Sequence, residues 1–205
     1  MDPAASFKTE TCRRLFDAWI VTRGPSLLPR RSAIDIRAFR GILPNIAMLE
    51  VRNPDLVLVR LAGTAYRDIF GFEPTWENLL DITPASIRRL RSYRYHMGVS
   101  QPCGAVAELS FAYSTEATDA FEFLSLPLAP DLPGQAPLVI CAIESLLGRR
   151  WKRRESAQVV GGPADNFRFL DIGAGVPQSA EPPAESWWAK PARDRLERGA
   201  SLQTA

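Results

Sequence analysis

The sequence predicts an α+β fold: one five-stranded antiparallel sheet with helices packed on one face, an N-terminal helix before it and a tail after it. Three observations carry this. Two strand-like runs, 45–51 and 56–62, are parted only by the turn Arg52-Asn53-Pro54-Asp55, the spacing of an antiparallel hairpin. Three more runs, 105–113, 120–126 and 138–147, follow a helical insert. In the first of these, Ala105, Ala107, Leu109, Phe111 and Tyr113 share one face while Glu108 and Ser110 share the other, the alternation of a sheet with one covered face.

In chain order, the first helix is expected over 7–22, where Cys12, Leu15, Phe16, Trp19 and Ile20 recur at helical spacing and Gly24-Pro25 stops the run. Residues 27–31 read as extended, and 34–40 as a short helix ahead of Leu43-Pro44. After the hairpin, Gly63-Thr64 opens a short helix through Phe70, with Thr64 as N-cap and Gly71 as terminator. A helical turn is expected over 75–80. Thr83-Pro84 is a start signal, a capping hydroxyl before a proline at the first helical position, for a helix reaching about Gly98. From Arg149 onward glycines and prolines accumulate and apolar runs become scarce, so 149–205 reads as a tail, mobile in part. Within it 167–172 can dock as an extended segment, and 185–198 can form a last helix. The organisation expected is therefore 1–24, 25–148 and 149–205.

Composition narrows the function classes. The 205 residues are 46% hydrophobic and 23% charged, the balance of an ordinary globular protein. A net charge of +2 disfavours a nucleic-acid partner. No apolar run approaches the roughly 20 residues that cross a bilayer, and Met1 to Glu10 lacks the pattern of a secretion signal. Cys12, Cys103 and Cys141 are odd in number and widely spaced, which fits a reducing cytoplasm rather than a disulfide framework or thiolate metal site. His96 is the single histidine, which excludes multi-histidine zinc sites and any Ser-His-Asp triad not built on it.

One stretch carries a family likeness. Gly63-Thr64-Ala65-Tyr66-Arg67-Asp68-Ile69-Phe70-Gly71-Phe72, followed by Leu79-Leu80-Asp81-Ile82, resembles the PAS pattern of a helix ending in Phe-Gly-aromatic before a Leu-rich turn. Trp19, Arg23-Gly24, Leu28-Pro29, Leu43-Pro44, Arg60-Leu61-Ala62-Gly63-Thr64 and Leu126-Pro127-Leu128 are similar to a proteobacterial group of short, stand-alone PAS proteins. The likeness covers about 19–147, with 169–172 as an extension. Phe72-Glu73-Pro74-Thr75-Trp76 departs from it, since a more polar turn with a glycine nearby is expected there. The resemblance implies a pocket between the sheet face and the helices, and a signalling role through ligand or partner binding.

Against that expectation the residues separate. Haem-binding PAS domains place their iron ligand on the long helix, but Ile87, Leu90, Arg94 and Met97 mark its inward stripe and His96 falls roughly 120° from the centre of that stripe. Haem is disfavoured. Flavin photochemistry is disfavoured too, because no cysteine lies on the short helices, and Cys141 reads as a small buried apolar residue. Arg94 suits an organic anion or, as a structural alternative, a salt bridge to Glu108 or Glu122. Tyr66, Phe70, Leu90, Phe111 and Phe123 line the same cavity or fill an ordinary core. Candidate partner contacts are Phe16 and Trp19 on the first helix, the cationic run containing Arg149, Arg150 and Trp151, which reads first as a solvated exit segment, and the pair Trp187-Trp188, which either packs back on the domain or meets a partner. The first helix either covers its own sheet or pairs with a second chain in a homodimer.

The sequence thus points to a sensory or regulatory module acting in trans on a signalling protein, with room for a small organic ligand. A small organic-anion binder is the alternative. An enzyme ranks last, because no spacing singles out an acid–base pair among Asp68, Glu77, Asp81, Glu108 and Glu122.

Overall fold

The computed structural model describes residues 7–112, 118–148, 160–161 and 164–183. Helix α1 (Glu10–Arg23) precedes strands β1 (Ile46–Asn53) and β2 (Leu56–Ala62). Helices α2 (Thr64–Phe70) and α3 (Ala85–Ser100) follow, and then β3 (Gly104–Ala112), β4 (Thr118–Leu128) and β5 (Leu138–Ser145). Two short strands close the series, β6 (Val160–Gly161) and β7 (Asp165–Leu170). All pairings are antiparallel, in the order β2-β1-β5-β4-β3, and both β6 and β7 pair with the outer edge of β3. The five expected strands are present. The extended segment expected at 167–172 is β7.

The sheet carries α2 and α3 on one face, as expected, and α1 covers the other. Leu15, Phe16 and Trp19 of α1 form a core with Val106, Leu124, Leu126 and Ile140 on one face. On the other, Tyr66 and Ile69 of α2 pack with Leu49, Val59, Phe121, Cys141 and Ile143. The central strand β5 already carries the signature of this sandwich, because six consecutive residues, Leu138 to Ile143, are buried.

α1 starts at Glu10 because Thr9 caps it, its side chain accepting from the Cys12 N–H. Trp19 is fully buried and its indole N–H donates to the Pro127 carbonyl at 3.0 Å. Residues 34–40 contribute only the 3-10 turn Ile36–Phe39. Gly63, not Thr64, is the N-cap of α2, and its place is set by crowding: a Cβ there would lie 2.3 Å from the Pro44 carbonyl oxygen. Gly71 ends α2 at φ 80°, the left-handed conformation glycine adopts without strain.

The helical turn expected over 75–80 does not form. That segment instead runs beside β2, with the Val59 N–H donating to Glu77 O (2.9 Å) and the Trp76 N–H to Val59 O (2.7 Å). The free edge of β2 is thereby blunted. Thr83 is not the N-cap of α3 either; Pro84 is, while the Thr83 hydroxyl donates to Leu79 O at 2.6 Å.

Candidate functional site

Between the sheet and helices α2 and α3 lies a cavity of about 110 Å3. The alternation read in β3 places Ala105, Ala107, Leu109 and Phe111 along its floor, and Phe123, Cys141 and Ile143 continue it on β4 and β5. Tyr66 and Phe70 enter from α2. From α3 come Ile87, Leu90, Arg91, Arg94 and Tyr95, which are spaced i, i+3, i+4, i+7, i+8. All six residues expected to line a pocket, Tyr66, Phe70, Leu90, Arg94, Phe111 and Phe123, are brought together there. Phe70 and Phe111 meet edge to face, their centroids 6.0 Å apart.

The inward stripe expected through Ile87, Leu90, Arg94 and Met97 left out Arg91 and Tyr95. Met97 does not line the cavity. The i+4 positions from Ile87 and Arg91 were the available signal. Arg91 donates to the Thr83 hydroxyl at 2.8 Å, and burial holds its guanidinium below its ordinary pKa. Tyr66 is buried and its phenol has no hydrogen-bond partner among the described residues; burial pushes its pKa well up, as it does for Tyr95.

The tail supplies the remaining wall. Ala164 and Phe167 line the cavity, and the Arg94 guanidinium stacks 3.8 Å above the Phe167 ring. Arg94 also donates to Ala180 O (3.2 Å) and pairs with Glu181 (3.1 Å), so its carboxylate partner is in the tail and not Glu108 or Glu122 as the sequence suggested. Residues 171–183 continue across α3, with the Tyr93 hydroxyl donating to Ser179 O at 3.4 Å and Gln101 to Ala174 O at 3.4 Å.

Glu108 and Glu122 have a different task. With Glu144 they stand side by side on three neighbouring strands, in the registers Glu108↔Glu122 and Glu122↔Glu144, beneath the start of α1. Glu122, 2% exposed, accepts from the Lys8 N–H (2.8 Å), the Thr9 N–H (2.7 Å) and the Thr9 hydroxyl (2.6 Å). Glu144 accepts from the Thr11 N–H, and Glu108 pairs with the Lys8 ammonium at 2.6 Å. Carboxylates at a helix N-terminus satisfy orphan N–H groups and complement the helix dipole.

The other candidates resolve as follows. Phe16 and Trp19, expected as partner contacts, are instead buried against the chain's own sheet, 6% and 0% exposed. Arg149, Arg150, Trp151, Trp187 and Trp188 lie outside the described residues. His96 is half-buried off the cavity, with its Nδ1 3.1 Å from Ser92 O. All three cysteines are free and buried, and burial raises the Cys103 thiol to about 12. Among the described residues no His/Cys/Asp/Glu group could hold a metal ion, and no helix is long and apolar enough to cross a membrane.

One exposed feature was not anticipated. Trp76, 64% exposed, has φ 75°, which is rare for a bulky residue, and the Arg60 guanidinium lies 4.7 Å from its ring centroid. The sequence signal was the missing glycine in 72–76. Leu61 and Phe72 are exposed as well.

A family model described as PAS domain matches residues 7–143. No curated protein matches the chain.

Proposed function

The chain belongs to the PAS domain family, and on that premise we propose that it is a non-catalytic sensory module, gated by a small ligand, that acts in trans through protein contacts. PAS domains are in general sensory and regulatory modules. The observation that carries the finer reading is the shared wall: Arg94 and Phe167 line the cavity and also hold the strap 164–183 in place. An occupant that shifts either residue changes how the strap is held, which converts occupancy into a surface change. Residues 1–24, 25–148 and 149–205 then act as clasp, receiver and transmitter.

Two further observations support it. Among the described residues the cavity wall carries no carboxylate and no histidine, so no acid–base pair is found there. Trp76, Leu61 and Phe72 are exposed apolar side chains available to a signalling partner or a second copy of the chain. Free, buried thiols suit a reducing cytoplasm. A small organic-anion binder is the second reading, favoured by the cationic residues Arg91 and Arg94 in the wall.

Native and denatured mass spectra of freshly purified protein test gating. An extra mass lost on denaturation, with altered hydrogen exchange in 164–183 once it is removed, is the expected result. A bare chain, whose exchange in 164–183 is unmoved by any member of a metabolite library, overturns it.

A further inference from the structure

We propose that the face of α3 turned to the strap is a binding surface for an extended acidic peptide of a protein partner, and that the chain's own residues 174–183 occupy it in cis as a stand-in for that peptide. The inference rests on the reading of the strap as transmitter and names the kind of partner it answers to.

The sequence of α3 prepares such a surface. Its 16 residues include Arg88, Arg89, Arg91 and Arg94 and no aspartate or glutamate, so the helix concentrates positive charge in a chain whose net charge is only +2. Arg89, Tyr93 and Gln101 fall on one stripe, spaced by multiples of four, with Arg94 beside it. Each of these side chains donates to the strap. Gln101 reaches Ala174 O, Tyr93 Ser179 O, Arg94 Ala180 O and Arg89 Pro183 O, so the strap runs against the direction of the helix.

These contacts are general in what they recognise. They go to main-chain carbonyls, which any extended peptide carries. Among the described residues the strap side chain that α3 pairs with is Glu181, whose carboxylate lies 3.1 Å from Arg94. The surface therefore selects an extended backbone with a carboxylate at one position, and the cationic helix favours acidic chains over basic ones.

The strap is a replaceable occupant. Ile172 and Pro177 are buried and anchor its first half, whereas no residue from 178 to 183 is buried. Glu181 is 68% exposed, and an ion pair so open to water holds weakly. The cis segment keeps its place by proximity, since its anchors hold it beside α3 at an effective concentration of about millimolar. Arg94 also lines the cavity, so an occupant there that draws it away loosens the cis segment and leaves the other donors to a partner.

Fluorescence anisotropy of a labelled synthetic peptide with the sequence of residues 174–183, titrated with the full chain, tests this. The unaltered chain should bind it weakly, because the strap competes. Two full-length variants weaken the competitor: E181K, and a chain whose residues 178–183 are alternating glycine and serine. Both changes lie in an exposed segment and leave the core intact. Each variant should bind the peptide at least about tenfold more tightly than the unaltered chain does. The same peptide carrying E181K should bind either variant about tenfold less tightly than the acidic one. Equal binding by the unaltered chain and both variants overturns the proposal, as does binding to none of them. A gain in the E181K chain alone, from its added charge, also overturns it. A basic peptide bound as well as the acidic one overturns the acidic class of partner. Ligand gating stands or falls separately, on whether exchange in 164–183 responds to a metabolite.

Discussion

Glu122 accepts both the backbone N–H and the hydroxyl of Thr9 through one carboxylate oxygen, so a buried charge in the middle of the sheet fastens the start of α1. Its other oxygen takes the Lys8 N–H. Glu122→Gln places an NH2 where one of those donors now points. Hydrogen bonds to charged groups are each worth about 1.5–3 kcal/mol, so a loss of about 2 kcal/mol is expected in urea unfolding. Hydrogen exchange should quicken first in 9–15. Unchanged exchange there would mean that α1 is held by its apolar stripe alone.

Trp19 is a core residue whose loss shows in stability rather than in association. Trp19→Phe leaves the Pro127 carbonyl without its indole donor and opens a small void, at a cost of about 2–3 kcal/mol. Sedimentation should give the same oligomeric state as for the unaltered protein. A changed state with unchanged stability would return Trp19 to the surface.

At Trp76 the ordinary order of glycine and alanine is expected to invert. Both substitutions remove the ring and its contact with Arg60, but at φ 75° only glycine is unstrained. Trp76→Gly should therefore be more stable than Trp76→Ala by about 1 kcal/mol, read from paired thermal melts. Equal stabilities would show that the backbone relaxes when the indole is gone.

His96 gives the protein a pH response near neutrality. Burial disfavours its imidazolium and outweighs the Ser92 carbonyl, so the folded-state pKa lies below the ordinary 6.5. The unfolded chain then binds the proton more readily. Stability is complete above about pH 6.5 and declines as pH falls from there toward the folded value. His96→Gln should flatten that slope, and since no other histidine exists the comparison is direct. A slope that persists in the variant assigns it to another group.

The strands and the cavity floor were legible because period-two alternation survives in β3, and because the hairpin at 52–55 sits in a short, turn-rich gap. The second covered face was harder to see. Its evidence was the unbroken apolar run of β5, which alone does not distinguish a strand buried on both sides from one buried on one. Arg91 and Tyr95 escaped because a stripe drawn through Ile87, Leu90, Arg94 and Met97 tilts about the helix away from them. The Glu108–Glu122–Glu144 row could not be anticipated, since it depends on the register of three strands separated by loops of unequal length.

The clasp between Thr9 and Glu122 spans more than half the chain, and α1 rests mainly on strands that come after residue 118. During synthesis α1 therefore lacks most of its seat until β4 and β5 have left the ribosome. At 5–20 residues per second that is a wait of several seconds or more with Leu15, Phe16 and Trp19 uncovered. A helix made before the sheet is thus seated after it, and the interval is one in which a nascent-chain chaperone has an apolar stripe to hold.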